Sequence, residues 1–416
     1  MLPSVVTGFK RHQRRAGPVM HYARAARMKP ARLAILASHP IPYQAPLFRR
    51  LAKERALDVR VIYGDDYGAR PRASGWGVAD FTWKGGITEG YPHVFLPNLA
   101  RQPDPSSFTG KLNPGLFAEL RRFRPDAALV FGYASVYHLQ SILWGGLLGC
   151  RMIYFSDASR LPGRDARGRL KHLFLSQALY PRFDAFLAIG EKSRRQYLAN
   201  GVPEEKLFRF PYAVDNDHFR ALAAASKPRR AELRARFGVP EGATCVIYAG
   251  RLWPEKNVAE LVRGVAGAPG QFLLLVGTGP EQPALERLAA DLLPGRHCFA
   301  GFLNYDAIGD GYGAADIFAL ASRYEPWGLV CNEAMAFGLP LVVSDQVGAA
   351  PDLVEPGETG FIYPSGDAPA LTRALVDIEQ AMRRDPERLA RATASRLDRY
   401  SYEAMAAGLI EAVQAR

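Results

Sequence analysis

Two cations and two carboxylates occupy separate loops and a helix in the C-terminal half of the sequence. Arg251 and Lys256 lie in the segment Gly250–Asn257, which follows an apolar run and precedes a helical pattern. Glu325 follows a later apolar run, and Glu333 falls in the next helical pattern. Cations beside a helix N-terminus can neutralise a pyrophosphate, whereas carboxylates accept hydrogen bonds from hydroxyl groups. For the two cations, the alternative is an ordinary charged surface loop. For the carboxylates, the alternative is that Glu333 simply stabilises the start of its helix.

Glycines stand where the backbone would have to approach such a ligand closely. Gly328 permits the amides of Leu329 and Val330 to face an anion at a helix start. Gly277 follows a strongly apolar run, but Gln282 occupies the place of the third glycine of a dinucleotide fingerprint. This broken pattern disfavours an NAD oxidoreductase.

The N-terminal half offers fewer chemical groups. His39, Tyr43 and Gln44 follow the first predicted strand, and they are our candidates for contacts with a second substrate. His138 joins them, although a histidine in an apolar helix is more often a core residue. Asp157 follows another predicted strand and could position a hydroxyl or accept its proton; capping a loop or helix is the alternative.

Short apolar runs alternate with helical patterns along the whole chain, as in α/β proteins with parallel sheets. The first series of predicted strands is 33–37, 58–63, 93–96, 127–131, 152–155 and 185–189. The second series is 245–249, 272–276, 297–300, 317–321, 341–344 and 360–363. We therefore predict two Rossmann-like domains that face each other across a cleft, with ligands at the carboxyl ends of the strands. The predicted boundaries are 1–29 for a basic extension, 30–212, 213–400, and 401–416 for a last helix that could cross back to the first domain.

Composition limits the class of protein. The chain has 416 residues, 48% hydrophobic and 23% charged, which suits a globular protein of two domains. Its four cysteines are isolated in sequence, so we expect neither a zinc site nor a disulfide framework. This cysteine usage fits a protein of the reducing cytoplasm. The stretch 127–150 carries no charge, and we expect a buried strand and helix there rather than a membrane span.

The formal net charge is +12, and no acidic residue precedes Glu54. A basic surface suits an anionic membrane or an acidic substrate, or it is simply a solvated face. No nucleic-acid recognition motif accompanies the charge. For residues 1–29 we favour an over-called start codon, with Met20 or Met28 as the first residue, over a transit peptide or an interfacial helix.

Four segments in order resemble the donor domain of family 4 retaining glycosyltransferases of the GT-B fold. Gly250-Arg251-Leu252 with Lys256 is similar to the family's phosphate-binding loop, and Glu325 and Glu333 match its Glu-x7-Glu motif. The tail from Gly348 to Asp367 and the last helix at 402–412 extend the resemblance, which covers about 211–412.

The resemblance implies a retaining, metal-independent transfer of a sugar from a nucleotide diphosphate-sugar to a hydroxyl of a glycan or a lipid-linked acceptor, without a cofactor. In this interpretation Arg251 and Lys256 neutralise the diphosphate, Glu325 holds the sugar, and Glu333 holds the ribose. The remaining donor contacts would come from Gly250, Gly277, Phe302, Gly328, Leu329 and Val330. The alternatives are a glycogen-synthase-like or phosphorylase-like enzyme, and a non-catalytic subunit that binds a sugar nucleotide. A cytoplasmic protein that docks on the inner face of the plasma membrane is the expected location.

Overall fold

The computed structural model describes residues 29–70, 86–157 and 165–415. Its contacts divide the chain into two compact units. The first contains the described residues up to Ser156, those from 165 to Arg209, and the C-terminal segment from Ala406. The second contains Asp157 and Phe210–Met405. The predicted N-terminal extension lies almost wholly outside the described residues.

Within the described residues, the first unit is built on a parallel sheet of seven strands in the order β3-β2-β1-β4-β5-β6-β7. Its strands are β1 (Ala31–Ala37), β2 (Leu57–Tyr63), β3 (His93–Phe95), β4 (Ala127–Phe131), β5 (Arg151–Phe155), β6 (Ala185–Ala188) and β7 (Leu207–Arg209). Its helices are α1 (Ala45–Ala52), α2 (Leu116–Phe123), α3 (Val136–Leu147), α4 (Ala166–Leu173) and α5 (Glu191–Ala199).

The second unit has a parallel sheet of six strands among the described residues, in the order β10-β9-β8-β11-β12-β13. Its strands are β8 (Thr244–Ala249), β9 (Gln271–Val276), β10 (His297–Gly301), β11 (Ile317–Leu320), β12 (Leu341–Ser344) and β13 (Gly360–Tyr363). Its helices are α6 (Asn216–Ser226), α7 (Arg230–Arg236), α8 (Val258–Ala266), α9 (Gln282–Leu292), α10 (Ile308–Ala314), α11 (Leu329–Ala336), α12 (Ala350–Leu353), α13 (Ala368–Arg384) and α14 (Pro386–Leu397). A last helix, α15 (Tyr402–Gln414), runs from this unit into the first, where Arg151 Nε donates to the Ala412 carbonyl at 2.7 Å.

The apolar runs form these strands because helices cover the parallel sheets, so that both faces of a strand are buried. Residues 33–37 of β1 and all six residues of β9 are buried. All twelve predicted strands are present to within two residues at either end. The charge-free stretch at 127–150 is β4 and α3 as predicted, and no helix of the described residues is long and apolar enough to cross a membrane.

Candidate donor site

The loops after β8, β9 and β10 are tied together through glycine backbone. The Gly250 amide donates to the Val276 carbonyl at 2.9 Å, and the Gly277 amide donates to the Gly301 carbonyl at 2.8 Å. Gly277 has φ +131, and a Cβ atom there would lie 1.8 Å from the Gly250 carbonyl oxygen. Only glycine fits this contact. Phe302, directly after Gly301, is 74% exposed at the edge of this layer.

Lys256 and Glu325 meet in a short, partly buried ion pair between Nζ and Oε2. Their side chains are 15% and 12% exposed, although they are 69 positions apart in sequence. Ser322 Oγ donates to the same carboxylate at 3.4 Å. The backbone of Glu325 is held by the Gly348 amide, which donates to its carbonyl at 2.9 Å.

Arg251 lies on the same loop after β8 as Lys256. Its Cζ is 5.0 Å from the ring centroid of Trp253, and its Nη2 is 3.8 Å from a carboxylate oxygen of Glu255. The hydroxyl of Tyr248 donates to the Arg251 carbonyl at 2.7 Å. Burial raises the pKa of that hydroxyl, the charge of Glu325 raises it further, and Arg251 opposes the rise. The Tyr248 hydroxyl is therefore near enough to both Arg251 and Glu325 to interact electrostatically with each of them.

Glu333 lies in α11, where Tyr312 of α10 donates a hydrogen bond to its Oε2 at 2.9 Å. Burial raises the pKa of Glu333 from 4.5 to about 7, and the Tyr312 hydroxyl opposes that rise. The neighbouring Cys331 thiol connects this acid with the ion pair: burial raises its pKa, as do Glu325 and Glu333, whereas Lys256 lowers it. The charges predicted from sequence thus surround one place in the second unit.

The start of α11 supplies backbone donors at the same place. Gly328 precedes the helix with φ +97, and the amides of Leu329 and Val330 belong to its first turn. The first four amides of a helix lack intrahelical acceptors, so they can bind an anion. Trp327 Nε1 donates to Asn332 Oδ1 at 2.9 Å and so ties the residue before Gly328 to the first turn of α11.

Two tyrosines that no sequence pattern predicted position this site. Tyr248 lies inside β8 and Tyr312 inside α10, both fully buried. A buried tyrosine usually has a hydrogen-bond partner for its hydroxyl, but sequence gives no sign of which partner. Asp157, by contrast, was predicted. It groups with the second unit, and its pKa is raised by burial and then by the charge of Glu325.

The remaining sequence-predicted residues lie in the first unit. His39 follows β1 and contacts Ser38 Oγ at 2.9 Å, while Tyr43 is 38% exposed and Gln44 is the buried residue before α1. His138 is buried in the first turn of α3, where Ser135 Oγ contacts its Nδ1 at 3.0 Å.

A buried cation that no sequence pattern predicted accompanies the two histidines. Lys111 is 1% exposed, and its Nζ donates to the Pro105 carbonyl at 2.6 Å. Burial, followed by the charge of Lys111, lowers the pKa of His39 to about 4 and that of His138 to about 3. Both imidazoles are therefore neutral at pH 7.

No group of three or more His, Cys, Asp or Glu side chains that could hold a metal ion occurs in the part of the chain that the structure describes. The four cysteines all lie in that part and are free thiols.

Family models match both halves of the chain. The model "Glycosyl transferases group 1" matches residues 229–396, which hold all four charged residues of the candidate site. The model "Glycosyl transferase 4-like domain" matches residues 40–213. The chain belongs to the glycosyl transferases group 1.

Relatives of this group 1 chain act on different sugars and acceptors. It is 34% identical over 192 residues to alpha-D-kanosaminyltransferase of Streptomyces kanamyceticus, and this match covers 45% of the chain and 47% of the relative. It is 30% identical over 207 residues to the GDP-mannose-dependent alpha-(1-6)-phosphatidylinositol monomannoside mannosyltransferase of Mycolicibacterium smegmatis, covering 47% and 53%. The matches thus span about half the length of these curated relatives.

Solved structures share the fold over nearly the whole chain. HepE of Anabaena, solved in complex with UDP, superposes with a TM-score of 0.66 at 20% identity, covering 93% of this chain and 100% of HepE. WaaG, a glycosyltransferase involved in lipopolysaccharide biosynthesis, gives a TM-score of 0.58 at 15% identity, covering 93% and 100%. The predicted GT-B architecture is confirmed.

Proposed function

We propose that this protein transfers a sugar from a nucleotide diphosphate-sugar to a hydroxyl group of a glycan or lipid-linked acceptor, with retention of anomeric configuration. The observation that carries the proposal is the convergence of Arg251, Lys256, Glu325 and Glu333 on one place in the second unit. This set pairs cations for a diphosphate with carboxylates for hydroxyl groups. The names of the relatives, all of which describe sugar transfer, support the same chemistry.

The donor would bind along the carboxyl ends of the second sheet. The diphosphate would lie against Arg251, Lys256 and the first amides of α11, and Glu333 would accept hydrogen bonds from the ribose. Glu325 would accept hydrogen bonds from the transferred sugar. The Lys256–Glu325 pair suits this arrangement because the diphosphate can engage the cation while a sugar hydroxyl engages the acid.

In the reaction the bond between the anomeric carbon and the phosphate oxygen breaks, and the acceptor oxygen bonds to the same face of that carbon. The acceptor proton passes to the departing phosphate oxygen while Asp157 positions the hydroxyl, or it passes to Asp157 instead. Charge accumulates on the leaving diphosphate, where Arg251 and Lys256 stabilise it. We propose on this ground that neither a metal ion nor another cofactor is required, because fixed cations supply the stabilisation that a divalent ion would give.

The acceptor would contact the first unit through His39, Tyr43, Gln44 and His138, as the sequence analysis proposed. Neutral imidazoles can both donate and accept hydrogen bonds, which suits hydroxyl groups. The free thiols fit a reducing compartment, and we propose a cytoplasmic protein that associates peripherally with an anionic membrane.

A screen of nucleotide sugars for thermal stabilisation, followed by transfer assays with the stabilising donor, tests the proposal. Lys256→Met should lower kcat by about 100-fold to 1000-fold, as removal of one group that stabilises developing charge does elsewhere. Lys227→Met, which changes an exposed lysine of the same unit, is the matched control and should leave kcat unchanged.

Three outcomes would contradict parts of the proposal. Donor binding without turnover would indicate a non-catalytic sugar-nucleotide-binding subunit. A product of inverted configuration by proton NMR would refute retention, and loss of activity on dialysis against EDTA, restored by a divalent ion, would refute metal independence.

A further inference from the structure

The outward face of α3 is apolar. This helix has twelve residues and not one of them is charged. Its inner face is buried against the sheet, whereas Leu139, Leu143 and Leu147 recur every four residues and are 39%, 53% and 67% exposed. A helix on the surface of a globular domain normally carries polar residues on its outer face. A stripe of three exposed leucines therefore indicates a contact surface.

The next helix, α4, is also apolar and exposed, and in addition it is basic. None of its eight residues is buried, and Leu170, Leu173 and the following Phe174 are 68%, 57% and 43% exposed. The chain continues from α4 into the helical turn Phe174–Leu179, whose Leu175 and Leu179 are buried and anchor the segment. The exposed leucines of α4 itself do not contribute to that packing.

The charge of α4 identifies the kind of surface. Arg167, Arg169 and Lys171 are exposed on the helix, and no acidic residue occurs from Ala166 to Phe183. The core of a protein–protein interface is depleted in charged residues. Leucines interleaved with cations on an amphipathic helix are instead typical of segments that lie in the interface of an anionic bilayer.

Both helices lie on the same side of the first sheet. β4, β5 and β6 are parallel neighbours, and α3 and α4 connect them in order. Right-handed crossovers in one direction along a sheet place their helices on one face. The ring of Tyr133, just before α3, lies 5.8 Å from the ring of Phe174.

We propose that the exposed leucines of α3, with the leucines and cations of α4, form a docking surface for an anionic lipid bilayer. We call this the α3–α4 surface. The inference rests on the proposed function in one respect, namely that a lipid-linked acceptor would be brought within reach of the enzyme. The binding itself can be measured without any transfer reaction.

Co-sedimentation of the full-length protein with vesicles of phosphatidylcholine, with or without phosphatidylglycerol, tests the surface. The wild-type protein should bind the anionic vesicles, and added salt should weaken the binding. A triple variant Arg167→Gln, Arg169→Gln, Lys171→Gln should lower the partition coefficient by about 100-fold, from the contribution of three cations near an anionic surface. A triple variant Leu139→Gln, Leu143→Gln, Leu147→Gln should lower it by about tenfold or more.

The matched control is the triple variant Arg383→Gln, Arg388→Gln, Arg391→Gln, which changes three exposed arginines of the second unit and should keep wild-type binding. Wild-type binding in both α3–α4 variants would assign the interaction to another basic segment, such as the residues before Lys29, and would overturn the inference. No binding of the wild-type protein to anionic vesicles would overturn it as well.

Thermal stabilisation by the donor separates this inference from the proposed function. All variants should retain it, because the α3–α4 surface belongs to the first unit and the donor site to the second. Vesicle binding without donor binding would support the docking surface and refute the proposed function. Donor binding and transfer without vesicle binding would support the proposed function and refute the docking surface.

Discussion

The acid that we assign to the ribose should weaken the fold at neutral pH. Glu333 is an ionisable side chain whose pKa is raised from 4.5 to about 7, chiefly by burial. The folded protein therefore holds a proton on this group at pH values where the unfolded chain has released it. Unfolding then releases a proton, so the free energy of unfolding falls as the pH rises from about 4.5 to about 7.

The size of the effect follows from the same interval. At about 1.4 kcal/mol for each pH unit, the interval from 4.5 to about 7 corresponds to about 3 kcal/mol. The residue as a whole is half-buried although its carboxyl group is enclosed. Water screens part of the effect, and we expect a loss of about 2 kcal/mol.

Glu333→Gln removes the titration and keeps an acceptor for the Tyr312 hydroxyl. The wild-type protein should lose about 2 kcal/mol relative to this variant between pH 4.5 and pH 8, whatever constant cost the buried amide adds. Hydrogen exchange of α11 peptides in increasing urea reports the free energy of unfolding of the second unit. The same variant should bind the donor more weakly, because it lacks the carboxylate proposed to hold the ribose.

Glu286→Gln, a change at an exposed position of α9, is the control and should follow the wild-type pH dependence. A difference between wild type and Glu333→Gln that stays constant from pH 4.5 to pH 8 would refute the reasoning, because the acid would then titrate alike in the folded and unfolded chain.

Two further predictions concern the backbone of the site. Gly277→Ala places a Cβ atom 1.8 Å from the Gly250 carbonyl oxygen. We expect the free energy of unfolding in urea to fall by about 2–4 kcal/mol, together with loss of donor binding. The control is Gly115→Ala, where a Cβ meets nothing within 4 Å and which should change little; equal effects of the two variants would contradict the contact at Gly277. Tyr248→Phe removes the hydrogen bond to the Arg251 carbonyl. It should raise the Kd of the donor by about fivefold, which corresponds to the free energy of one hydrogen bond. An unchanged Kd in calorimetric titration would show that the loop keeps its shape without this hydrogen bond.

Apolar runs predicted the strands well because a buried parallel strand must be apolar on both faces. β7, a strand of three residues of which only Phe208 is buried, was not predicted.

Sequence alone determined which chemical groups the second half of the chain carries and that each follows a strand or begins a helix. It could do so because buried parallel strands appear as apolar runs, and glycine permits the turns that follow them. The tertiary structure alone decided which of these groups meet. Lys256 and Glu325 are brought together by neighbouring strands β8 and β11, and Tyr312 reaches Glu333 from a separate helix. Contacts between residues distant in sequence depend on strand order and helix packing, which no local pattern of residues encodes.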